Sequence, residues 1–222
     1  MIEPPRIRRL GLVEYEPTWR EMQQFTDARD ARTRDEIWLL EHPPVFTLGM
    51  NGRREHLRDP GRIPVVQVDR GGQVTYHGPG QLVLYPLLDL RRLRLGIREL
   101  VVALEESVVG YAAQFGIEAA GRREAPGVYV RGAKLASVGL RVRRGASYHG
   151  LSVNVSVDLD PFRRIDVCGY PGLAVTRFAD LGAAIDVGPA GEAIATRLID
   201  ALAPRRSAYN AINTASQAES SR

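Results

Sequence analysis

Two residue types that can carry covalent chemistry occur only once each in this chain of 222 residues. Cys168 is the single cysteine, and Lys134 is the single lysine beside 29 arginines. A thiolate is a nucleophile, and an amine, unlike a guanidinium, can release and take back a proton. A neighbouring ammonium favours the thiolate and can protonate a leaving thiolate, so the pair could form and break down an acyl-thioester. The alternatives are a cysteine that packs as a small apolar side chain and a lysine on a solvated loop.

The local sequence around each residue favours the chemical interpretation. Cys168 lies in segment 167–172, where glycines and Pro171 predict a tight loop with an accessible thiol. Lys134 begins a predicted strand, with Ala136 and Val138 on the same face. Small neighbours leave room for a ligand at the lysine.

The strand that follows should lie beside the lysine strand. Pairing of the two would bring Gly150, Leu151 and Ser152 close to Ser137, Val138 and Gly139. We expect these two segments to form the floor of a groove.

The densest glycine cluster of the chain spans residues 70–81. It lacks both the Gly-Lys-Ser/Thr ending of a phosphate-binding loop and the G-x-G-x-x-G pattern of a dinucleotide site. Glycine lets a ligand approach the backbone closely, so we expect this segment to form one wall of the groove. The wall residues are Arg70, Gly71, Gly72, Gln73, Val74, Thr75, Tyr76 and His77. A histidine bonded within a turn is the alternative for His77.

Other chemistries have weaker support in the sequence. A Cys-His arrangement with His77 or His149 lacks a recognisable partner carboxylate. The four histidines show no metal-ligand spacing, so we expect neither a metal nor another cofactor. The arginines are dispersed and not interleaved with aromatic residues, which argues against a nucleic-acid-binding module.

Composition limits the class of protein. The length suits one domain. No apolar run is long enough for a membrane helix, and the N-terminus lacks the apolar core of a signal peptide. We therefore expect a cytoplasmic protein. One cysteine cannot form an internal disulfide. The net charge of +4 suggests an acidic partner, which could be nucleic acid, anionic lipid or an acidic carrier protein.

The hydrophobic pattern predicts an α/β protein of the α+β type, with a mixed or antiparallel sheet and flanking helices. A long amphipathic helix is predicted from Ile97 to Phe115, ended by Gly116. Further helices are predicted at 17–34, 176–181 and 190–202, and strands at 7–13, 37–40, 45–48, 65–68, 127–130, 134–142 and 148–157, the last three as an antiparallel meander. The polar segment 205–222 is predicted to be a disordered tail.

Several ordered motifs resemble one family, the lipoyl(octanoyl) transferases of lipoate biosynthesis. The resemblance rests on segments 70–81, 134–139 and 168–169, together with segments 148–154 and 172–176. It implies the fold of biotin and lipoate protein ligases and an octanoyltransferase catalytic domain over residues 1–204. It also implies transfer of an octanoyl group from acyl carrier protein to a lysine of lipoyl domains, in 2-oxoacid dehydrogenase complexes and in the glycine cleavage H protein.

The resemblance assigns roles to the residues that match its motifs. Cys168 matches the acyl-accepting nucleophile and Lys134 the residue that activates it. The wall residues 70–77 and the two floor segments, 137–139 and 150–152, match the acyl-binding stretches.

Three alternatives remain open. An ATP-dependent lipoate or biotin protein ligase on the same fold would need no cysteine and often carries an additional C-terminal domain. Another octanoyl transferase that passes the group between two carrier proteins would share the Cys-Lys chemistry. A non-catalytic carrier- or nucleic-acid-binding module would have no use for a reactive cysteine.

Overall fold

A computed structural model describes the backbone of residues 3–220 and, apart from residues 206 and 208–220, their side chains. The described chain contains ten strands and three α-helices, joined in places by short 3-10 turns. The strands are β1 (Arg6–Leu12), β2 (Glu36–Glu41), β3 (Val45–Leu48), β4 (Val65–Gln67), β5 (Val74–His77), β6 (Gln81–Leu87), β7 (Ala120–Gly121), β8 (Gly127–Val130), β9 (Ala133–Arg143) and β10 (Ala146–Asn154). The helices are α1 (Tyr15–Asp27), α2 (Ile97–Ala112) and α3 (Val187–Ser220).

Seven strands form the main sheet, in the order β1-β2-β6-β10-β9-β8-β7. Only β1 and β2 pair in parallel, so the sheet is mixed, as predicted. The predicted meander is present as β8, β9 and β10. Its register places Gly150 opposite Gly139, and Ser152 opposite Ser137, which confirms the expected pairing of the two floor segments.

Both faces of the main sheet are covered, which explains the continuous apolar runs of its central strands. In β2, Ile37 and Leu39 pack in the core beneath α2 and α3. Trp38 and Leu40 face the other way, toward Met22 of α1. Alternate residues of one strand therefore contribute to two separate cores.

A second sheet of three strands, in the order β4-β3-β5, stands beside the α1 face. The glycine-rich segment before β5 reaches back to the main sheet, where the Gly71 N–H donates to the Leu140 carbonyl at 3.0 Å. This bond closes the space between the two sheets on one side. The site lies in that space.

Two predicted helices differ from the structure because side chains or a neighbouring strand bind their backbone. α1 ends at Asp27, not near residue 34, since the Asp30 carboxylate accepts from the backbone N–H groups of Arg32 and Thr33 and forms a turn. The predicted helix at 176–181 is a single 3-10 turn, Phe178–Leu181. The Thr176 N–H instead donates to the Lys134 carbonyl.

The helix predicted from Ile97 is confirmed. α2 is followed by a 3-10 turn to Phe115, and Gly116 ends it with φ at +70°.

The last helix continues into the segment predicted as a tail. The backbone of α3 is helical to Ser220, and residues 221 and 222 lie outside the described residues, so disorder of segment 205–222 stays a prediction. A helix needs only local hydrogen bonds, and the alanines of this segment favour it even without a packed core. A domain boundary at residue 204 stays a prediction.

Candidate active site

Lys134 and Cys168 lie in direct contact. The Lys134 Nζ is 3.1 Å from the Cys168 Sγ, although the two residues are 34 positions apart in the chain. Lys134 is only 1% exposed, whereas Cys168 is half-buried. The amine is therefore shielded from water, and the sulfur is open on one side.

The Lys134 ammonium has an acceptor for each of its three N–H groups. Besides the cysteine sulfur, these are the Tyr129 hydroxyl at 3.0 Å and the Pro126 carbonyl at 3.1 Å. The Tyr129 hydroxyl in turn donates to the Ala125 carbonyl at 2.8 Å, which leaves its oxygen lone pairs toward the lysine. This arrangement holds a protonated amine against the sulfur.

The strand that carries Lys134 is fixed on both sides. Its backbone N–H donates to the Ala174 carbonyl at 2.8 Å, and its carbonyl accepts from Thr176. Pairing with segment 174–176 ties the lysine to the chain that follows the cysteine loop. This explains how two distant motifs meet.

Gly127 lets the lysine reach the sulfur. A Cβ at this position would lie 2.3 Å from the Ala136 carbonyl oxygen and 2.9 Å from the Lys134 Cε, and φ is +143°. Its N–H donates to the buried Glu105 carboxylate of α2 at 2.7 Å. Burial raises the pKa of Glu105, against the opposing effects of this bond and of the Lys134 charge. Glu105 thus holds the segment that supplies two of the three lysine acceptors.

Cys168 has a strained backbone. It lies in a 3-10 turn, Val167–Gly169, with φ at +56°, a conformation that non-glycine residues adopt rarely. The Asp166 side chain anchors the turn through His56 Nδ1 at 3.3 Å and through Arg58. The strain is localised at the nucleophile, as it often is at functional sites.

The pKa of Lys134 is raised above its ordinary value. Burial alone would lower the pKa, but the charge of Cys168 and the bonds to Tyr129 and Cys168 outweigh burial. The lysine is therefore cationic as long as the sulfur is anionic.

A cavity of about 300 Å³ opens beside the sulfur, between the two sheets. Exposed residues line its mouth, namely Asn51, Glu124 and Tyr170, the last 47% exposed. Of the fourteen predicted substrate-binding residues, thirteen line this cavity: Arg70, Gly71, Gly72, Gln73, Val74, Thr75, His77, Ser137, Val138, Gly139, Gly150, Leu151 and Ser152.

Tyr76 is the exception. Side chains alternate along β5, and Tyr76 points away from the cavity into a core with Phe46 and Phe162. We therefore correct its assignment as a wall residue.

Arg70 places a positive charge in the cavity wall beside Thr47 and His77. Its buried guanidinium donates to the Thr47 carbonyl at 2.7 Å and to the Gly71 carbonyl at 2.9 Å. Among the ion pairs of the described residues, none involves Arg70. Because no carboxylate neutralises it, Arg70 favours negative charge in this part of the cavity.

His149 has the carboxylate partner that the sequence did not reveal. Its Nε2 lies 2.9 Å from Asp69 Oδ1, and Asp69 also accepts from Tyr148 and from Trp19. Two consecutive residues of a regular strand face opposite sides, but φ of +57° at His149 turns its ring to the same side as Tyr148. The described residues give Cys168 a side-chain bond to Lys134 and none to this pair.

Two buried polar atoms in the cavity wall have no partner among the described residues, His149 Nδ1 and Thr75 Oγ1. Because Nε2 donates to Asp69, Nδ1 is a bare acceptor in the neutral ring. Burial lowers the pKa of His149, although Asp69 opposes this. These atoms can bind water or a polar group of a ligand.

Sequence reasoning missed several residues of the site. Tyr129 and Pro126 bind the lysine, Asp69 orients His149, and Tyr15 and Tyr85 line the cavity. Only Tyr129 carried a usable signal, since it lies in the strand predicted next to the lysine strand. Among the described residues, no three His, Cys, Asp or Glu side chains are grouped as metal ligands, and no helix has the length and apolar character to cross a membrane.

Sequence comparisons agree on one family. A model of the lipoyl protein ligase A/B catalytic domain matches residues 14–199. The octanoyltransferase of Alkalilimnicola ehrlichii is 64% identical over 177 residues, which cover 80% of this chain and 82% of that protein. The octanoyltransferase of Xanthomonas campestris is 57% identical over 201 residues, which cover 90% and 84%.

Solved structures share the fold at low sequence identity. A lipoate-protein ligase A bound with ATP superposes with a TM-score of 0.74 at 15% identity, covering 90% of this chain and 86% of that chain. The biotin protein ligase of Aquifex aeolicus, in complex with biotin and ATP, gives 0.56 at 14% identity, covering 91% and 72%. This likeness confirms the predicted fold.

Proposed function

The chain belongs to the lipoyl protein ligase A/B catalytic-domain family and is an octanoyltransferase of protein lipoylation, and from this premise we propose that transfer runs through a thioester on Cys168. The observation that carries the proposal is the 3.1 Å contact between the Lys134 Nζ and the half-buried sulfur. We further propose that the donor is octanoyl-acyl carrier protein.

In the first half-reaction, the Cys168 thiolate attacks the thioester carbonyl carbon of the donor. The bond from that carbon to the carrier sulfur breaks, and the leaving thiolate takes a proton from the Lys134 ammonium. The products are octanoyl-Cys168, a free carrier thiol and a neutral Lys134 amine.

In the second half-reaction, the amine of the acceptor lysine attacks the octanoyl-Cys168 carbonyl carbon. Lys134 takes the surplus proton from the attacking nitrogen, and the carbon–sulfur bond breaks. The amide leaves, and the thiolate–ammonium pair is restored.

The surroundings of Lys134 suit both steps. While the sulfur is a thiolate, its charge raises the pKa of the amine against the effect of burial. Acylation removes that charge, so burial then favours the neutral amine that the second step requires. An arginine would keep its proton throughout.

The cavity is the proposed acyl-binding site. Its floor, which includes Val138 and Leu151, offers apolar surface to an alkyl chain, and its mouth at Tyr170 is open to solvent. The thirteen lining residues predicted from the sequence would bind the octanoyl group, with the glycines allowing it close to the backbone.

The partners follow from the same proposal. Acceptors are lipoyl domains in general, and we propose those of 2-oxoacid dehydrogenase complexes and the glycine cleavage H protein. Such carriers are typically acidic, and the exposed Arg122, which lines a neighbouring groove together with the mouth residues Glu124 and Tyr170, would attract them. A cytoplasmic location is also proposed, because a reducing compartment keeps a reactive thiol free.

The experiment incubates the protein with octanoyl-acyl carrier protein in the absence of ATP, quenches it in acid and maps adducts by mass spectrometry. We expect one octanoyl group on Cys168, removable by hydroxylamine and transferred when a lipoyl domain is added. Cys168→Ala is the control and should carry no adduct.

Two results would contradict the proposal. Transfer to the lipoyl domain without an adduct on Cys168 would exclude the covalent route. A requirement for free octanoate and ATP would indicate a ligase instead.

A further inference from the structure

A second groove, of about 310 Å³, opens next to the mouth of the cavity. We call it the outer groove; Arg122 and Tyr129 line it on one side and residues 170–173 on the other. Glu124 and Tyr170 line both spaces, and the Tyr170 hydroxyl donates to the Glu124 carbonyl at 3.4 Å, so the two spaces meet at one rim. Because the acyl chain occupies the cavity, the outer groove is free for the rest of the donor.

Arg122 is held in a fixed position on the wall of the outer groove. Its Cζ lies 4.2 Å from the centroid of the Tyr129 ring, a cation–π contact, and its backbone N–H donates to the Gly127 carbonyl at 3.3 Å. Arg122 is exposed, and nowhere in the part of the chain whose side chains the structure describes does a carboxylate form an ion pair with it, Glu124 included. The outer groove therefore carries an oriented guanidinium without a counter-charge.

Arg122 is also close to the reacting atoms. The Tyr129 ring centroid lies 5.0 Å from the Lys134 Nζ, and that nitrogen lies 3.1 Å from the Cys168 sulfur. Added together, the three distances of 4.2, 5.0 and 3.1 Å set an upper limit of 12.3 Å between the guanidinium Cζ and the sulfur.

The arm of an acyl carrier protein has a charge and a length that fit this arrangement. The acyl group is carried on phosphopantetheine, which a phosphodiester joins to the carrier. About thirteen bonds separate the thioester sulfur from the phosphorus, so the extended arm spans about 16 Å. In an arginine–phosphate pair, Cζ lies about 4 Å from the phosphorus, so an extended or slightly bent arm reaches Arg122 while its thioester is at Cys168.

We propose that the outer groove binds the phosphopantetheine arm of the donor carrier and that Arg122 pairs with its phosphodiester. This inference rests on the proposed function. The guanidinium offers two parallel N–H groups to two phosphate oxygens, the geometry in which arginine recognises phosphate. Tyr170 and Leu173 offer apolar surface to the methyl and methylene groups of the arm. The arm then crosses the rim, and the acyl chain enters the cavity.

The first test compares two small donors that differ only in the phosphate, octanoyl-phosphopantetheine and octanoyl-pantetheine. Mass spectrometry follows the formation of octanoyl-Cys168. With the unaltered protein, the second-order rate constant should be at least tenfold higher for the phosphorylated donor, and added salt should reduce the difference. Equal rate constants would overturn the inference. No adduct with these donors or with octanoyl-acyl carrier protein would instead contradict the proposed function.

The second test replaces the arginine. In Arg122→Gln, the ratio of the two rate constants should fall to about one. Both donors acylate the same cysteine, so any general loss of activity caused by disturbing Tyr129 cancels in this ratio. Arg122→Lys keeps the charge without the paired N–H groups and should keep part of the ratio. An unchanged ratio in Arg122→Gln would overturn the inference.

Arg123→Gln is the matched control, since Arg123 is the adjacent exposed arginine and does not line the outer groove. Its ratio should equal that of the unaltered protein. With octanoyl-acyl carrier protein as the donor, Arg122→Gln should raise KM at least tenfold and Arg123→Gln less than twofold. This comparison also decides the question if the small donors do not react. An equal rise in both variants would indicate diffuse charge attraction and would overturn the assigned site.

Discussion

Two buried regions of the molecule, Lys134 at the sulfur and the histidines His42 and His77, respond to burial in opposite ways. At the reactive end, Lys134 is buried beside a sulfur that can carry negative charge, and its pKa is raised. At the two histidines, burial lowers the pKa of His42 to about 4 and that of His77 well below its ordinary value. The same desolvation therefore coexists with a cationic Lys134 at the sulfur and with neutral histidine rings beside Arg70, whose positive charge further lowers the pKa of His77.

The difference is the presence of an anionic partner. Lys134 has three acceptors, one of them the sulfur, whereas His42 and His77 bond to carbonyl and hydroxyl groups that carry no full charge. Burial penalises a charge unless a counter-charge and hydrogen bonds repay it. We expect proton transfer to take place at Lys134 and the sulfur, and the uncharged part of the cavity to bind the acyl chain.

The largest effect should come from Lys134→Arg. The guanidinium keeps the positive charge but cannot exchange a proton, so turnover should fall by about 10² to 10⁴-fold while the sulfur stays reactive. Octanoyl transfer kinetics and the rate of Cys168 alkylation by iodoacetamide measure the two properties separately.

Lys134→Met serves as the comparison because it removes the charge as well. It should lose both turnover and fast alkylation. Full activity of Lys134→Arg would show that the lysine acts only as an electrostatic partner of the sulfur.

The next effect concerns stability and arises from His42. The pKa of His42 is about 4 in the folded protein and about 6.5 when unfolded. Between these values the unfolded chain binds a proton that the folded protein does not, so stability falls as pH falls from 6.5 to 4. The loss is about 3 kcal/mol from His42 alone, and His77 adds to it.

Urea unfolding at a series of pH values measures this loss. Imidazole NMR signals should show His42 neutral at pH 5.5. A free energy of unfolding that stays constant from pH 7 to pH 4.5 would contradict neutral His42 and His77 in the folded protein.

The smallest effect should come from Tyr129→Phe. It removes one of the three lysine acceptors and leaves a buried N–H unpaired. An unpaired buried N–H costs about 1 to 3 kcal/mol of free energy, so kcat should fall about tenfold. Because the Tyr129 bond raises the pKa of Lys134, the alkaline limb of the kcat/KM profile should move to lower pH.

Tyr111→Phe is the matched control, since it removes the hydroxyl of a buried tyrosine that packs against Phe115 and Phe178 and is not among the three acceptors of Lys134. Its pH profile should equal that of the unaltered protein. An unshifted profile for Tyr129→Phe would mean that the hydroxyl serves packing alone.

Much of the fold was predictable because it follows from local periodicity. The helix beginning at Ile97, its end at Gly116 and the meander around Lys134 all have short-range signals, and the register of Gly139 with Gly150 followed from them. Predictions failed where a residue distant in sequence bound the backbone, or where a side chain pointed to the opposite side of its strand from the side expected. Thr176 pairs with Lys134 instead of entering a helix, and Tyr76 faces the second core.

The sequence by itself determined which residues can do the chemistry, because only one thiol and one amine side chain occur and their motifs resemble one family. The tertiary structure decided that they meet, since segment 174–176 pairs beside Lys134 and brings the cysteine turn within 3.1 Å. It also decided the left-handed backbone of His149 and the stacking of Tyr15 on His77. Those features arise from contacts between residues far apart in the chain, and neither composition nor periodicity encodes such contacts.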